Sequence, residues 1–327
     1  MTTKEIILAE ELLLRPVQWR DLNAVAQLIY DVCEADGDTT VAATPQDLKL
    51  EWQRDGFKLQ TDAILVETRE GRVVGFEEFT NRHQHYSLNT DGYVHPDFTG
   101  RGIGTTLLRM IEMRAREEMK LAESDLRVFL RSTIDNRDAA SNELHKAEGY
   151  SPKRHHWRME IKLDSAPPRT AWPEGIELRP FIRSQDEIAV WQAQNEAFRD
   201  HWGSHDVSLE EWQHHRFDRE DFDPTLWAIA WDGGEVAGFS LNRFRMGIGW
   251  IGTLGVRRPW RKKGLGLAML QHSFGEFHER GAKVIGLGVD ASSPTGATRL
   301  YQKAGMYVAS EFLTYEKELR AGQQLEE

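Results

Sequence analysis

Apolar and polar positions follow the same order twice along this chain. Each copy opens with Leu-Arg-Pro, at Leu14-Arg15-Pro16 and again at Leu178-Arg179-Pro180, where proline favours an extended end before a loop. An amphipathic, helix-spaced stretch follows, over about 21–33 and 185–198. Each copy then has two alternating runs joined by a tight turn. In the first, 63–68 and 73–79 flank Glu70-Gly71; in the second, 227–231 and 236–241 flank Asp232-Gly233-Gly234. Asp-Gly and Gly-Gly between alternating runs predict hairpins, because such turns need positive φ. A further strand, a glycine-rich turn, a helix, another strand (126–130 and 283–289), a short helix and a closing strand complete each copy. The closing strands fall near 157–163 and 312–319.

This order predicts an α+β fold, a mixed and mostly antiparallel sheet flanked by helices, present as two tandem domains. The expected divisions are 1–163, a linker over 164–175, and 176–327. The linker is placed by the Pro-rich, polar run Asp164-Ser165-Ala166-Pro167-Pro168-Arg169-Thr170-Ala171-Trp172-Pro173.

Composition narrows the partners. With 40% hydrophobic and 28% charged residues and a formal net charge of −11, neither nucleic acid nor an anionic membrane is an expected partner. No apolar run approaches the ~20 residues of a membrane span, and Met1-Thr2-Thr3-Lys4-Glu5 carries no apolar signal segment, so a cytoplasmic protein is expected. The single cysteine, Cys33, rules out an intramolecular disulfide and reads as a buried helical residue rather than a reactive thiol. Nothing in the sequence specifies an oligomeric state.

The chemistry concentrates at Arg261-Lys262-Lys263-Gly264-Leu265-Gly266, between the apolar run 250–256 and the apolar-periodic stretch 267–277. A strand running through a basic, glycine-rich turn into a helix presents converging N–H groups and a partial positive charge, which suits a pyrophosphate. Thr99-Gly100-Arg101-Gly102-Ile103-Gly104 is a weaker copy. A Walker loop would need Lys-Ser/Thr after the glycines, yet leucine follows both Gly264 and Gly266. A dinucleotide fold would place its turn after an early first strand, whereas here it comes after several antiparallel ones.

Read with Leu300-Tyr301-Gln302-Lys303-Ala304-Gly305-Met306, the turn resembles that of the GNAT (GCN5-related) N-acetyltransferases. Arg261, Gly264 and Gly266 match the family's Gln/Arg-x-x-Gly-x-Gly/Ala. The later segment matches Leu-Tyr-x-x-x-Gly-Phe except at Met306. The first half departs further, with Thr99 in place of Gln/Arg and His145 in place of Tyr. The resemblance spans both halves and implies a tandem protein whose second domain is catalytic and whose first is degenerate.

It also implies an activity: transfer of an acetyl group from acetyl-CoA to a primary amine of a small molecule, by direct attack in a ternary complex and without a metal. Leu254, Gly255 and Val256 would grip the thioester and pantetheine. Arg261, Lys262, Lys263, Gly264, Leu265, Gly266 and Leu267 would cradle the pyrophosphate. Tyr301 would protonate the departing thiolate.

The general base stays open. Many family members carry a glutamate on the strand before the turn, but residues 251–256 include no carboxylate. Glu196, Asp200, His201 and Asp290 are candidates, alongside a water relay or an amine already deprotonated. The segment 198–224 holds Trp202, His205, Asp206, Trp212, His214 and His215, an acidic and aromatic wall expected to suit a cationic or amphipathic amine. Glu196, Asp200, His201 and Trp202 are the acceptor-binding candidates. The pairs His155-His156 and His214-His215 read as surface residues, since adjacent side chains diverge. Two rivals remain: an acyl-CoA-binding sensor without turnover, and an enzyme acting on a protein or peptide amine.

Overall fold

A computed structural model describes residues 6–9, 11–202, 204–245, 247–293 and 295–324. The elements of the first sequence half are β1 (Ile6–Ala9), β2 (Leu12–Pro16), α1 (Leu22–Ala35), α2 (Pro45–Trp52), α3 (Leu59–Asp62), β3 (Ala63–Thr68), β4 (Val73–His83), β5 (Ser87–Val94), α4 (Ile103–Glu118), β6 (Val128–Asp135), α5 (Ala139–Ala147) and β7 (Ser151–Lys162). The second half repeats them as β8 (Ile176–Pro180), α6 (Arg183–Phe198), α7 (Leu209–Phe217), β9 (Ala228–Asp232), β10 (Glu235–Arg245), β11 (Ile248–Val256), α8 (Leu265–Glu279), β12 (Val284–Asp290), α9 (Ala297–Lys303) and β13 (Tyr307–Arg320). The two hairpins and the glycine-rich turns stand where the pattern puts them. Among the described residues no helix is long and apolar enough to cross a membrane.

The chain forms two compact units, Met1–Arg154 with Leu313–Glu326, and His155–Phe312. In the first unit β2, β3, β4 and β5 pair antiparallel in order, and β5 pairs parallel with β6. The sheet is completed by the end of β13, where Arg131 Nε donates to Glu316 at 2.9 Å and Tyr315 Oη donates to Asn142 Oδ1 at 2.9 Å. In the second unit β8, β9, β10 and β11 pair antiparallel, β11 pairs parallel with β12, and β12 pairs antiparallel with β7, Ile285 opposite Ile161 and Val289 opposite Trp157.

Each closing strand thus begins in the unit of its own sequence half and passes into the unit built by the other. The compact units divide inside β7 and β13, not at the 163/164 and 175/176 positions expected from the sequence. The Pro-rich stretch between them packs within the second unit, with the Trp172 ring 5.7 Å from that of His272.

Helices cover both faces of each sheet, as period-two burial requires. On β9, Ala228 and Ala230 pack toward α8 (Leu265, Met269), while Ile229 and Trp231 pack toward α6 and α7 (Val190, Trp212, Phe217). In the first unit, α4 packs Ile103, Leu107 and Ile111 with Leu14, Leu88 and Tyr315, and α1 and α2 cover the other face with Leu28, Ile29 and Trp52 against Phe76. Cys33 is buried in this second cluster, and burial pushes its thiol up to about 11, so it stays protonated.

Candidate functional site

The site arises where two parallel strands part. β11 and β12 pair only at Ile248–Val284, Gly249–Ile285 and Trp250–Gly286. Beyond Trp250, β11 continues to pair with β10 as far as Val256. Half of a strand's backbone groups face each neighbour, so those facing β12 over residues 251–256 lose their strand partner there. The gap is a cavity of about 880 Å³. Leu254, Gly255 and Val256 form one wall; Leu287, Gly288, Val289 and Asp290 of β12 form the other.

A β-bulge marks the wall. Leu241 faces Thr253 and Asn242 faces Ile251, which leaves Gly252 as the extra residue. A Cβ there would come 3.0 Å from the Leu241 carbonyl oxygen, a tight contact that glycine avoids.

The glycine-rich turn closes one end. Lys262 has φ +63 and Gly264, the N-cap of α8, has φ +87. The chain therefore reverses through left-handed backbone and enters the helix with its first N–H groups unclaimed by intrahelical bonds. Arg261, Lys262, Gly264, Gly266 and Leu267 line the cavity. Arg261 also ties the turn down: Nε donates to Val256 O, Nη1 to Asp200 Oδ2 and Nη2 to Ala197 O, each at 3.0 Å. Two residues of the expected cradle direct their side chains away from the cavity. Lys263 is exposed and outside the lining, and Leu265 is buried against Trp260 and Met269.

α9 closes the opposite side with Ala297, Leu300, Tyr301 and Lys303. Tyr301 is only 7% exposed, and burial pushes its phenol up to about 12. Its hydroxyl makes no hydrogen bond to any described residue, which leaves it available to a group in the cavity. His201 also lines the cavity. Its ring lies 4.6 Å from that of Phe198, and burial together with Arg261 holds its pKa below the usual histidine value, so it is neutral at pH 7. Asp290 is on the lining and accepts from Ser292 N at 2.8 Å.

The other acceptor-binding candidates have prior partners. Glu196 accepts from Arg257 Nε at 2.6 Å, and Asp200 is clamped by Arg258 and Arg261, which hold its carboxyl below the ordinary range. Trp202 is off the lining. Elsewhere in the expected wall, Asp206 pairs with Arg199 at 2.7 Å, His214 with Asp218 at 2.8 Å, and Trp212 is core. Glu196, Asp200 and Asp206 are therefore each neutralised by an arginine. Sequence reading missed Gly288, Ser293, Thr295, Gly296 and Lys303, which reach the cavity only because β12 and α9 fold back beside the turn.

The first unit repeats this frame with different side chains. A Cβ on Gly104 would meet Leu144 at 3.2 Å and Val94 at 3.6 Å; on Gly266 it would meet Leu300 at 3.2 Å and Val256 at 3.7 Å. In the position of Tyr301 stands His145, buried between the rings of Tyr150 (5.2 Å) and Tyr315 (5.6 Å). Its Nδ1 lies 2.8 Å from the Ser141 carbonyl, and burial depresses its pKa. Among the described residues no group of histidine, cysteine or carboxylate side chains is arranged to hold a metal ion.

The chain is similar in sequence and fold to known proteins. The family model described as the acetyltransferase (GNAT) family matches residues 27–150 and 188–306. A mycothiol acetyltransferase of Pseudarthrobacter chlorophenolicus is 31% identical over 220 residues, 65% of this chain and 64% of that protein. The crystal structure of a GCN5-related N-acetyltransferase from Sphaerobacter thermophilus is 37% identical and covers 98% of this chain and 99% of its own, with a TM-score of 0.81. A tandem GNAT protein from the clavulanic acid biosynthesis pathway shares the fold at 16% identity, TM-score 0.73, over 96% of this chain and 100% of its own.

Proposed function

Since the chain belongs to the GNAT family of acyl-CoA-dependent N-acetyltransferases, we propose that its second unit moves the acetyl group of acetyl-CoA to a primary amine of a small molecule, by direct attack. The observation that carries this reading is the convergence of three features on one cavity: the unpaired edge of β11, the glycine-rich turn and the Tyr301 hydroxyl. The pantetheine arm would lie along residues 254–256 as a strand does, and the pyrophosphate would take the N–H groups and Lys262 of the turn.

The amine nitrogen attacks the thioester carbonyl carbon, the C–S bond breaks, and the thiolate takes its proton from Tyr301. The attacking nitrogen gives up a proton to His201, to Asp290 or to water. His201 suits the task because its environment keeps the imidazole neutral and thus able to accept. The first unit lacks a counterpart of Tyr301, with His145 enclosed in its core, which supports a structural role for that half. The mycothiol acetyltransferases are named for a small molecule, which favours a small acceptor over a peptide.

Release of CoA thiol, followed across parallel panels of small amines and peptide amines, tests the reading. Turnover with small amines supports it. Acetyl-CoA binding without CoA release from any amine would overturn it in favour of a sensor.

A further inference from the structure

A second, smaller cavity of about 170 Å³ adjoins the first at Gly252, which lines both. Its walls come from the end of α7, the loop after it, and the β10–β11 pair. Three arginines reach it: Arg216, Arg219 and Arg243. Among the described lining residues the carboxylate is Asp221, held by Arg219 Nε at 2.8 Å and 3.8 Å from Arg243 Nη1. His215, the remaining titratable lining group, lies 3.8 Å from Glu211.

Arg216 differs from its neighbours. Its Nη2 donates to Thr253 Oγ1 at 2.8 Å and to Gln194 Oε1 at 3.2 Å, both neutral. Among the described residues it has no carboxylate partner, and its Nε and Nη1 donate to none of them. Gln194 is itself fixed by accepting from Trp212 Nε1 at 3.0 Å. The guanidinium is thus held in place by side chains that leave its charge uncompensated. Burial and the charges of Arg243 and Arg219 push its pKa down to about 10, so it stays charged at pH 7 in surroundings that resist the charge. A cavity lined by three arginines, one of them fixed by neutral partners alone, is suited to an anion.

Thr253, which fixes Arg216, also lines the large cavity. A molecule whose amine enters that cavity beside the bulge would therefore have its other end within reach of the arginines. We propose that the acceptor carries an oxyanion, a carboxylate or phosphate-type group, which binds in this smaller cavity to Arg216, Arg219 and Arg243 and selects the acceptor. The guanidinium fork is the side-chain group best matched to such anions. The apolar face of Trp227 and Phe222 completes the cavity and suits a short carbon spacer. The proposal rests on the acetyltransferase reading of the second unit and sharpens its acceptor class. It departs from the cationic preference expected from the acidic composition of 198–224, because Asp200, Asp206 and Asp221 of that segment are each held by arginines.

The test uses three series of compounds of equal length, two to six carbons long: ω-amino carboxylates, ω-aminoalkylphosphonates and ω-amino alcohols. Two readouts are taken on the full chain: CoA release with acetyl-CoA, and calorimetric binding of each compound to the protein saturated with CoA. The expected result is that one anionic series exceeds the alcohols at least tenfold in kcat/KM and in affinity. Which anionic series leads identifies the oxyanion. In Arg216→Gln that preference collapses toward unity through KM. In Asp221→Asn, anion binding tightens several-fold, because Arg219 and Arg243 lose their competing carboxylate; a merely structural Asp221 would give no such gain.

If Arg216→Gln fails to fold by circular dichroism, Arg243→Gln replaces it with the same expected collapse. CoA release without preference for either anion overturns this proposal and leaves the acetyltransferase reading standing. Anion-selective binding without CoA release supports the subsite and overturns the catalytic reading. Neither release nor selective binding overturns both.

Discussion

Gly266, in the first turn of α8, packs directly against Leu300 of α9: a Cβ added to the glycine would lie 3.2 Å from Leu300 Cδ2. The turn proposed to hold the pyrophosphate and the helix carrying Tyr301 are therefore one packed piece. The glycine of this motif serves close approach between elements as much as it serves the ligand.

Gly266→Ala sets two effects in opposition. Alanine gains about 1 kcal/mol of helix propensity, while its Cβ crowds Leu300 by a few tenths of an ångström. The expected outcome is a melting temperature within a few degrees of the parent, with KM for acetyl-CoA raised several-fold as α9 shifts. Adding Leu300→Ala should restore most of that KM. A large loss of stability, or a KM indifferent to Leu300, would show that the contact does not couple the turn to α9.

Tyr301→Phe keeps the ring and removes the hydroxyl. Since the phenol is pushed up to about 12, it remains an acid over the whole working range. Loss of a positioned acid should lower kcat by roughly 10²-fold, with little change in KM for acetyl-CoA. The parent's kcat should also show no alkaline fall below about pH 10 from this group. A stable variant with full turnover would remove Tyr301 from the chemistry.

How much of this was readable from residues alone differs by feature. The run 250–256, the turn and Leu300-Tyr301 were legible because each is local: alternation, glycine and a short helix identify themselves. The side-chain environment of Leu265 was not legible, since helix phase turns it toward Trp260 and Met269 and leaves only its backbone to the turn. The partners of the acids were hidden for another reason. Asp200 meets Arg258 and Arg261, and Glu196 meets Arg257, pairings about 60 residues apart that composition cannot reveal.

The closing strands illustrate a third limit. β7 and β13 end equivalent repeats, so pattern alone does not say which sheet each completes. Specific long-range contacts decide it, such as Glu316 with Arg127 and Arg131 in the first unit. Gly252 and Arg216, which link the two cavities, showed no motif at all.

The first unit carries its own pH signature. Glu77 on β4 is buried and pushed up to about 8, chiefly by burial, with Asp91 adding to it and a hydrogen bond from Thr90 opposing it. The unfolded chain loses this proton near pH 4.5, whereas the folded protein keeps it to about pH 8. Across that window the folded state binds more protons, so stability falls as pH rises and levels off above pH 8. Glu77→Gln should flatten the slope and raise stability at pH 8 by roughly 1–3 kcal/mol. Chemical denaturation at pH 5, 6.5 and 8 reads it; equal slopes in parent and variant would remove Glu77 as the cause.

A polar cluster inside the second unit seats α8 on the sheet. Asn242 of β10 donates to Leu226 O at 2.9 Å and to Ser273 Oγ at 3.0 Å, and accepts from Ser240 Oγ at 2.8 Å. Ser273 Oγ lies 2.9 Å from the Met269 carbonyl and 3.1 Å from Ser240 Oγ. All three side chains are almost fully buried. Asn242→Ala strands the Leu226 carbonyl and takes one partner from each of the two buried hydroxyls, and should cost about 2–4 kcal/mol. Ser240→Ala with Ser273→Ala should cost less than twice a single serine change, because removing both ends of their mutual hydrogen bond leaves neither end of that bond unsatisfied. Because α8 opens with the glycine-rich turn, Asn242→Ala should also raise KM for acetyl-CoA at temperatures well below its melting point. Denaturant midpoints and acetyl-CoA titrations on the variants read both effects. A destabilised variant with parental KM would show that the cluster supports the core without setting the turn.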